Sequence, residues 1–244
     1  SPVAYFFYSL FPLTVGHDGL LLLHLFGTGS ITYLYLRQIG ISRLASVIGG
    51  ICWMFNGYVM VWFEFEHVPM LAATLPLTLL FLERLYSRRT FHNFLGVVGA
   101  VALSISVAYA NLILLQLLFV GSYIVVLFFR RIYSGGANFR QSSRFLIVVF
   151  AALAIGMMIS THFFTSHFML KQQGQRTPYG FEELYEKTGK VGFHRLATLV
   201  FPDFFGNPVT KTHIGPPPRG VRVYNNYNEL CMYAGVFSVF LVLG

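Results

Sequence analysis

Six apolar blocks of 15 to 20 residues follow one another through the first two thirds of the chain, and they constrain its fold more than any other feature. A helix of about 20 apolar residues spans a bilayer because it satisfies its own backbone hydrogen bonds inside the hydrocarbon layer. Only 11% of the residues are charged, against roughly 25% in an ordinary soluble domain. The blocks therefore predict an all-α fold, a polytopic transmembrane helical bundle.

The loops between the predicted spans differ in charge. The spans are residues 17–36, 44–63, 68–82, 94–109, 112–129 and 145–163. The loops after the first, third and fifth spans contain two, three and four basic residues, whereas the short loops on the other side contain no Lys or Arg. Cytoplasmic loops carry an excess of Lys and Arg, so we expect the basic loops to face the cytoplasm.

A long polar segment follows the sixth span. Residues 164–229 contain five acidic and eight basic residues, too many polar groups to lie inside a bilayer. We expect three parts: a transmembrane bundle with an interfacial N-terminal segment (1–163), an extracytoplasmic loop segment docked on that bundle (164–229), and the start of a further transmembrane helix (230–244). Because the chain begins without Met and ends within a short apolar run, we expect an internal fragment of a longer protein.

The sequence lacks the motifs that commonly identify soluble enzymes, such as a phosphate-binding glycine loop or a Gly-x-Ser-x-Gly turn. Its basic residues lie in short clusters between apolar blocks, a pattern of membrane topology that gives no indication of a nucleic-acid partner. Cys52 and Cys231 have neither metal-ligand spacing nor a disulfide pattern. The polar groups at the predicted outer face remain as the candidates for chemistry.

The acidic candidates at that face are in two places in the sequence. Glu64, Glu66 and His67 fall between two spans, where two carboxylates and an imidazole can bind a cation, act as a general base or hold a sugar hydroxyl. The alternative is a solvated turn. Asp203 lies between aromatic residues in Phe-Pro-Asp-Phe-Phe-Gly. That arrangement suits a carboxylate beside a sugar ring, or equally a capped turn whose rings insert into the bundle.

Basic residues of the polar segment suit a phosphate group. Arginine binds phosphate oxygens with two parallel donors, so Arg176 and Arg195 are candidate phosphate ligands, with Tyr179 in the same Arg-Thr-Pro-Tyr run. Contact with anionic lipid or plain solvation is the alternative. In the membrane half, we expect Asp18 to cap the first span and His24 to be a packed polar side chain.

The i, i+5 spacing of His162 and His167 does not place two ligands on one face of a helix. A metal site there is therefore not expected.

Several residue blocks have an order and spacing of their own. In the membrane half they are Tyr35-Leu-Arg-x-x-Gly-Ile-Ser-Arg-Leu-Ala, Gly49-Gly-Ile-Cys-Trp-Met-Phe-Asn-Gly, His67, Leu75-Pro-Leu and Leu82-Glu-Arg-Leu. In the polar half they are Gln172 to Arg176, Leu196-Ala-Thr-Leu-Val-Phe-Pro-Asp-Phe-Phe-Gly and Tyr233-Ala-Gly-Val. Together they cover nearly the whole chain, and they resemble the bacterial YfhO-type membrane proteins.

The resemblance implies a glycosyltransferase of the GT-C type in the bacterial cytoplasmic membrane. Such an enzyme takes a sugar from a polyprenyl-phosphate lipid and transfers it outside the membrane to a cell-envelope glycopolymer, such as teichoic acid. In that superfamily the principal catalytic acid usually lies in the first outer loop, which here would precede Ser1.

The candidate residues then divide by role. Glu64, Glu66, His67 and Asp203 would be catalytic, and Arg176, Tyr179 and Arg195 would bind substrate. The cofactor stays open, with a divalent cation as one alternative.

The rival function is non-enzymatic: a transporter or flippase for lipid-linked sugars, or an assembly partner of a glycosylation system. Transporters place ionisable groups near the bilayer midplane on broken helices. Here the charged residues lie at the ends of the predicted spans, and Pro76 is the expected break. The enzyme is therefore the favoured interpretation.

Overall fold

The structure is a computed structural model that describes residues 2–65, 67–107, 110–133, 139–173, 193–201, 203–206, 209–210 and 212. Every regular element in these ranges is helical. The elements are α1 (Pro2–Leu10), α2 (Leu13–Gln38), α3 (Arg43–Met54), α4 (Gly57–Val61), α5 (His67–Ser87), α6 (Phe91–Val107), α7 (Ala110–Tyr133), α8 (Phe139–Ile159), α9 (Thr161–Gln173) and a 3-10 helix (Phe193–Leu199). The predicted all-α fold is confirmed.

Five helical segments of the described residues are long and apolar enough to cross a membrane. They are Leu13–Gln38, Arg43–Val61, His67–Ser87, Leu112–Tyr133 and Phe139–Ile159. Helix α6, at the fourth predicted span, has 17 described residues and is shorter. The chain is therefore a multi-pass membrane protein. Each of the six predicted spans overlaps one or two of these helices.

The start of α2 differs from the prediction. The helix begins at Leu13, after Pro12 with φ −52°, and no side chain forms a hydrogen bond to its first turn. A proline at this point begins a helix readily because its φ is already close to the helical value. Asp18 therefore lies inside the helix, and the expectation that it caps the first span is wrong. His24 is buried, as expected.

The second predicted span is interrupted rather than continuous. Helix α3 ends at Met54, and α4 begins only at Gly57. Between them, Oδ1 of Asn56 accepts a hydrogen bond of 3.0 Å from the Val59 amide, which makes Asn56 the N-cap of α4. Asparagine competes for backbone donors in this way and so favours helix starts. Helix α5, by contrast, continues through Pro76, and the expected kink there stays a prediction.

The chain divides into two units, and each has its own internal contacts. The first comprises Ser1–Met54 and Phe65–Gln172, and the second comprises Phe55–Glu64 and Gln173–Gly244. The first unit contains the helical bundle. The first ten residues of the predicted outer segment, 164–173, continue as helix in α9.

Helix α5 is the centre of the bundle. It is the most buried of the five candidate spans, and it packs chiefly against α2 and α6. Its fully buried residues Leu82 and Leu85 join Val101, Ile105 and Phe145 in one hydrophobic core.

Two glycines allow other helices to approach closely. A Cβ at Gly50 would lie 2.7 Å from the Gly29 carbonyl oxygen of α2, and one at Gly156 would lie 2.9 Å from the Val98 carbonyl oxygen of α6. Small residues permit such contacts between transmembrane helices. At Gly50 the backbones of α2 and α3 therefore lie in close contact.

The near absence of residues between the fourth and fifth predicted spans, 94–109 and 112–129, predicts a tight antiparallel hairpin. In the structure, α6 packs mainly against α5 and α8 and touches α7 much less. The contact between α6 and α7 includes a polar one, in which Nε2 of Gln116 donates a 2.9 Å hydrogen bond to Oγ of Ser104. The close approach at Gly156 explains the preference for α8, because it brings two backbones together. Residues 108 and 109, between the two helices, lie outside the described residues, so the hairpin stays a prediction.

The arginine-bearing ends of several helices meet at one end of the bundle. Arg89 Nη2, after α5, donates a 2.8 Å hydrogen bond to the Gln141 carbonyl in the first turn of α8. Near the last turn of α5, Glu83 lies 3.5 Å from Arg130 in the last turn of α7. We call this end, with its arginines at positions 84, 88, 89, 130, 131, 140 and 144, the arginine end. The predicted grouping of the basic loops on one side is confirmed for these helices.

Candidate functional site

The first group of predicted site residues, 64–67, leads along the chain into the start of α5. Glu64 is exposed in the turn that precedes it. His67 is the first residue of α5 and is half-buried, and its ring lies 5.8 Å from the ring of Phe65, centre to centre, at 53°. Glu66 lies outside the described residues. Since α5 runs from His67 towards Glu83, His67 lies at the end of the bundle opposite the arginine end.

Asp203 lies in a tight turn of the second unit. The Gly206 amide donates a 2.8 Å hydrogen bond to the Asp203 carbonyl, and Gly206 has φ +83°, a value that favours glycine. The carboxyl group of Asp203 is exposed, and the neighbouring rings of Phe204 and Phe205 meet edge to face at 5.0 Å. The structure thus shows a turn with a glycine-favouring position after Asp203, and both interpretations of its carboxylate stay predictions.

The remaining predicted site residues fall outside what the structure describes. Arg176 and Tyr179 lie outside the described residues, as does the side chain of Arg195, whose backbone belongs to the 3-10 helix. Of the seven predicted site residues, the structure thus describes the side chains of Glu64, His67 and Asp203. Their convergence on one outer cavity stays a prediction.

Metal binding has no support within the described part of the chain. No three residues among its His, Cys, Asp and Glu are grouped so that they could hold a metal ion. His162 is exposed on α9, and the side chain of His167 is outside the described set.

A buried polar network at the arginine end has no counterpart in the sequence prediction. Tyr35 of α2 donates a 3.0 Å hydrogen bond to the hydroxyl of Tyr123 on α7, which in turn donates a 2.5 Å hydrogen bond to Oε1 of Glu83 on α5. Oε1 of Glu83 also lies 3.5 Å from Nη1 of Arg130. One chain of polar contacts therefore connects three helices.

The two charged members of this network are unequally buried. The side chain of Glu83 is 5% exposed and that of Arg130 is 57% exposed. A buried charge is costly unless it is paired and hydrogen-bonded, and here a hydroxyl and a guanidinium satisfy one carboxyl oxygen. The arrangement holds helices together and offers no open space for a substrate beside Glu83.

A second polar cluster lies deeper in the bundle. Gln116 of α7 donates to Thr74 of α5 at 3.2 Å as well as to Ser104 of α6. All three side chains are buried, and none is ionisable. Such contacts join transmembrane helices, but they supply neither a general base nor a nucleophile activated by one.

An apolar groove runs between α2 and α3. It has a volume of about 460 Å³ and is lined by residues of which none is charged, among them Phe26, Tyr33, Leu34, Ile51 and Met54. A groove of this composition accepts hydrocarbon, and its lining contains no carboxylate, imidazole or amine.

No protein-family model matches the chain, and neither a curated protein nor a solved structure does. The YfhO-type resemblance therefore rests on residue patterns alone. The structure itself establishes an all-helical, multi-pass membrane protein whose arginine end contains a buried carboxyl network and whose opposite end carries His67.

Proposed function

We propose that the chain belongs to an integral membrane glycosyltransferase of the GT-C type. It would transfer a sugar from a polyprenyl-phosphate lipid to a cell-envelope glycopolymer at the outer face of the bacterial cytoplasmic membrane. The observation that carries the proposal is the ordered set of residue blocks from Tyr35 to Tyr233 that resembles the YfhO-type proteins. The multi-pass fold supports it, because a lipid-linked donor is held in the bilayer.

The position of the polar residues also supports an outer-face reaction. His67 begins α5 at the end opposite the arginine end, and Glu64 and Glu66 immediately precede it in the chain. If the arginine end faces the cytoplasm, as the positive-inside rule predicts, these three residues lie outside. A donor phosphate and a glycopolymer acceptor would meet at that interface.

The proposed reaction is a displacement at the anomeric carbon. The acceptor hydroxyl oxygen forms a bond to that carbon while the bond between the carbon and the lipid phosphate oxygen breaks. The hydroxyl proton passes to a carboxylate base, and the electron pair leaves with the phosphate. A general base and a positive group beside the leaving phosphate each lower the barrier.

The proposed roles follow from this chemistry. Arg176 neutralises the phosphate with its paired donors, and Tyr179 and Arg195 contribute to the same substrate contact. Glu66 and His67 position the acceptor or a cation, with Glu64 and Asp203 as further acids near them.

The test measures sugar transfer by the full-length protein in membrane vesicles supplied with a polyprenyl-phosphate sugar. We expect Glu66→Gln and His67→Ala to lower the rate by roughly 100-fold, within the range for loss of an acid–base or positioning group. We expect Arg176→Gln to lower it as well. All three variants should insert into the membrane at the wild-type level.

Three control variants carry the same chemical changes elsewhere. Asp18→Asn removes an exposed acid from α2, His92→Ala removes a histidine from the first turn of α6, and Arg140→Gln removes an exposed arginine from the arginine end. We expect near wild-type transfer from all three. Wild-type transfer in Glu66→Gln, His67→Ala and Arg176→Gln would mean that Glu66 and His67 belong to a solvated turn and that Arg176 is one of several solvated charges. The proposed site would then be rejected.

The interruption at Asn56 favours one second candidate, a flippase for lipid-linked sugars. Transporters use broken transmembrane helices at their substrate sites, and the second candidate span is broken between α3 and α4. The break lies five residues from the end of that span, however, rather than at mid-membrane where transporters bind their substrates. A flippase would move the lipid across the bilayer without forming a glycosidic bond.

A further inference from the structure

Positive charge at the arginine end greatly exceeds negative charge. Between residues 68 and 163 the chain has seven arginines and one acid, Glu83. That single carboxyl is buried against Tyr123 and pairs with Arg130. With seven arginines and one carboxylate, this stretch of the sequence has a formal net charge of +6. Like charges that are held close together raise the free energy unless an anion binds between them.

Three of these arginines converge on one short part of α8. Arg89 donates a hydrogen bond to the Gln141 carbonyl, and the guanidinium carbon of Arg131 lies 5.7 Å from the centre of the Phe145 ring. Arg144 lies between Gln141 and Phe145 in the sequence and is exposed. Arg89 and Arg131 therefore both contact the turn of α8 that carries Arg144.

Two of the three arginines are held in place by the protein. Arg131 donates a 3.1 Å hydrogen bond to the Tyr86 carbonyl, and its guanidinium carbon lies 5.2 Å from the centre of the Tyr86 ring. Arg89 is held by its bond to Gln141. The pKa of the Arg89 guanidinium is lowered by partial burial and by the positive charges of Arg131 and Arg144. The charges are thus crowded on a preformed surface.

Exposed aromatic residues lie on α7 and α8 at the same end of the bundle as these arginines. Phe129 and Tyr133 stack on the last turns of α7 with their ring centres 6.1 Å apart, and Phe139 at the start of α8 is 71% exposed. Aromatic rings of this kind are enriched at the headgroup level of membranes. The arginines and these rings therefore share one end of the membrane-spanning helices.

We propose that Arg89, Arg131 and Arg144 form a binding site for the phosphate of an anionic phospholipid headgroup. Basic pockets between transmembrane helices bind such headgroups, and arginine suits phosphate because of its fixed donor geometry. A soluble phosphate ion offers the same chemistry, but it lacks the acyl chains that would anchor it beside the exposed rings. The site lies at the end of the bundle opposite His67 and does not depend on the proposed function.

The test measures lipid binding to the purified full-length protein in neutral detergent by native mass spectrometry. The probes are phosphatidylglycerol, phosphatidylcholine and inorganic phosphate. We expect wild type to retain phosphatidylglycerol in preference to phosphatidylcholine. The double variant Arg89→Gln/Arg144→Gln should bind phosphatidylglycerol roughly 30-fold more weakly, as expected for the loss of two arginines near a membrane surface. Arg131 is left unchanged because it packs against core aromatic rings.

The matched control is the double variant Arg37→Gln/Arg43→Gln, which removes the same charge from another basic loop. Arg37 also donates a hydrogen bond to a backbone carbonyl, that of Ile41, so the control loses the same kind of bond as Arg89→Gln. We expect the control to keep its preference for phosphatidylglycerol. Arg89→Lys/Arg144→Lys, which retains the charge and removes the paired donors, should show an intermediate loss.

Several results would overturn the proposal. An equal loss in the two glutamine double variants would mean that diffuse charge, rather than this site, binds the lipid. The same conclusion would follow if wild type did not distinguish phosphatidylglycerol from phosphatidylcholine. Inorganic phosphate that displaced phosphatidylglycerol at similar concentration would show that the ligand is a soluble anion and that the lipid assignment is wrong.

Discussion

The Tyr123 hydroxyl donates a 2.5 Å hydrogen bond to Oε1 of Glu83, a residue that is 4% exposed inside the bundle. The same tyrosine accepts a hydrogen bond from Tyr35, so α2, α5 and α7 are joined through one buried carboxyl group. A hydrogen bond to a charged group contributes more to stability than one between neutral groups. We therefore expect this contact to contribute measurably to the stability of the bundle.

Replacing Tyr123 by Phe should lower the free energy of unfolding by about 1.5 to 3 kcal/mol, the range for a hydrogen bond to a charged group. The physical reason is that Glu83 would lose a donor while it stays buried. Denaturant unfolding of the detergent-solubilised protein measures the effect. Tyr133→Phe is the control, because that side chain lies on the same helix and is 82% exposed. Equal effects of the two variants would contradict the role of the network.

Replacing Gly156 by Ala should destabilise the bundle, because the new Cβ would lie 2.9 Å from the Val98 carbonyl oxygen and α6 and α8 would have to separate. Overpacking of this kind costs about 1 to 3 kcal/mol. Gly121→Ala is the matched control, since a Cβ at Gly121 on α7 would meet nothing within 4 Å. There the higher helix propensity of alanine should leave stability unchanged or raised by up to about 1 kcal/mol. Thermal unfolding that ranked the two variants in the opposite order would reject the close helix contact.

Glu83 shows why the sequence predicted the fold better than the polar contacts inside it. The apolar blocks located the helices, because span length and composition depend only on the thickness and polarity of the bilayer. Glu83 stands beside Arg84 in the basic loop after the third predicted span, so its position in the sequence indicates an exposed residue. A helix that is apolar on all sides gives no periodic signal for its buried face. The only sequence indication that Glu83 is buried is its position four residues after Leu79, which places both residues on the same side of the helix.

Asn56 illustrates a second limit of prediction from the apolar pattern, the position of a helix break. The residues around it are apolar enough for a continuous span, and the sequence therefore predicted one helix over 44–63. The interruption follows from one side-chain hydrogen bond to the Val59 amide. Pro76 gave the stronger local signal for a break, yet α5 is continuous through it. Tertiary packing of the most buried helix explains why a local preference did not decide the outcome there.

Prediction of the candidate site depends on local turns and on long-range contacts, and the sequence indicates only the first of these. The turn around Asp203 was predictable because Gly206 follows it at a position that needs positive φ. Convergence of Glu64, His67 and Asp203 is a long-range property, and no spacing within the sequence encodes it. Residue identity alone suggested their chemistry.

The orientation of the bundle is tested by labelling cysteine variants in intact cells. We expect an impermeant thiol reagent to modify a cysteine placed at Asn207 and not one placed at Gly136, because the basic loop around 136 should be cytoplasmic. Cys52 and Cys231 are first replaced by serine so that they do not react. Labelling at Gly136 and not at Asn207 would reverse the orientation and place the proposed site inside the cell.

Reconstitution of the full-length protein in liposomes separates a glycosyltransferase from a flippase most directly. The liposomes contain a polyprenyl-phosphate sugar with a radiolabelled sugar, and a glycopolymer acceptor is supplied on the side of the proposed site. We expect label to become covalently attached to the acceptor, with release of polyprenyl phosphate, and we expect the Glu66→Gln variant to lose this transfer. Movement of intact labelled lipid across the bilayer, with no label on the acceptor, would contradict the proposed enzyme.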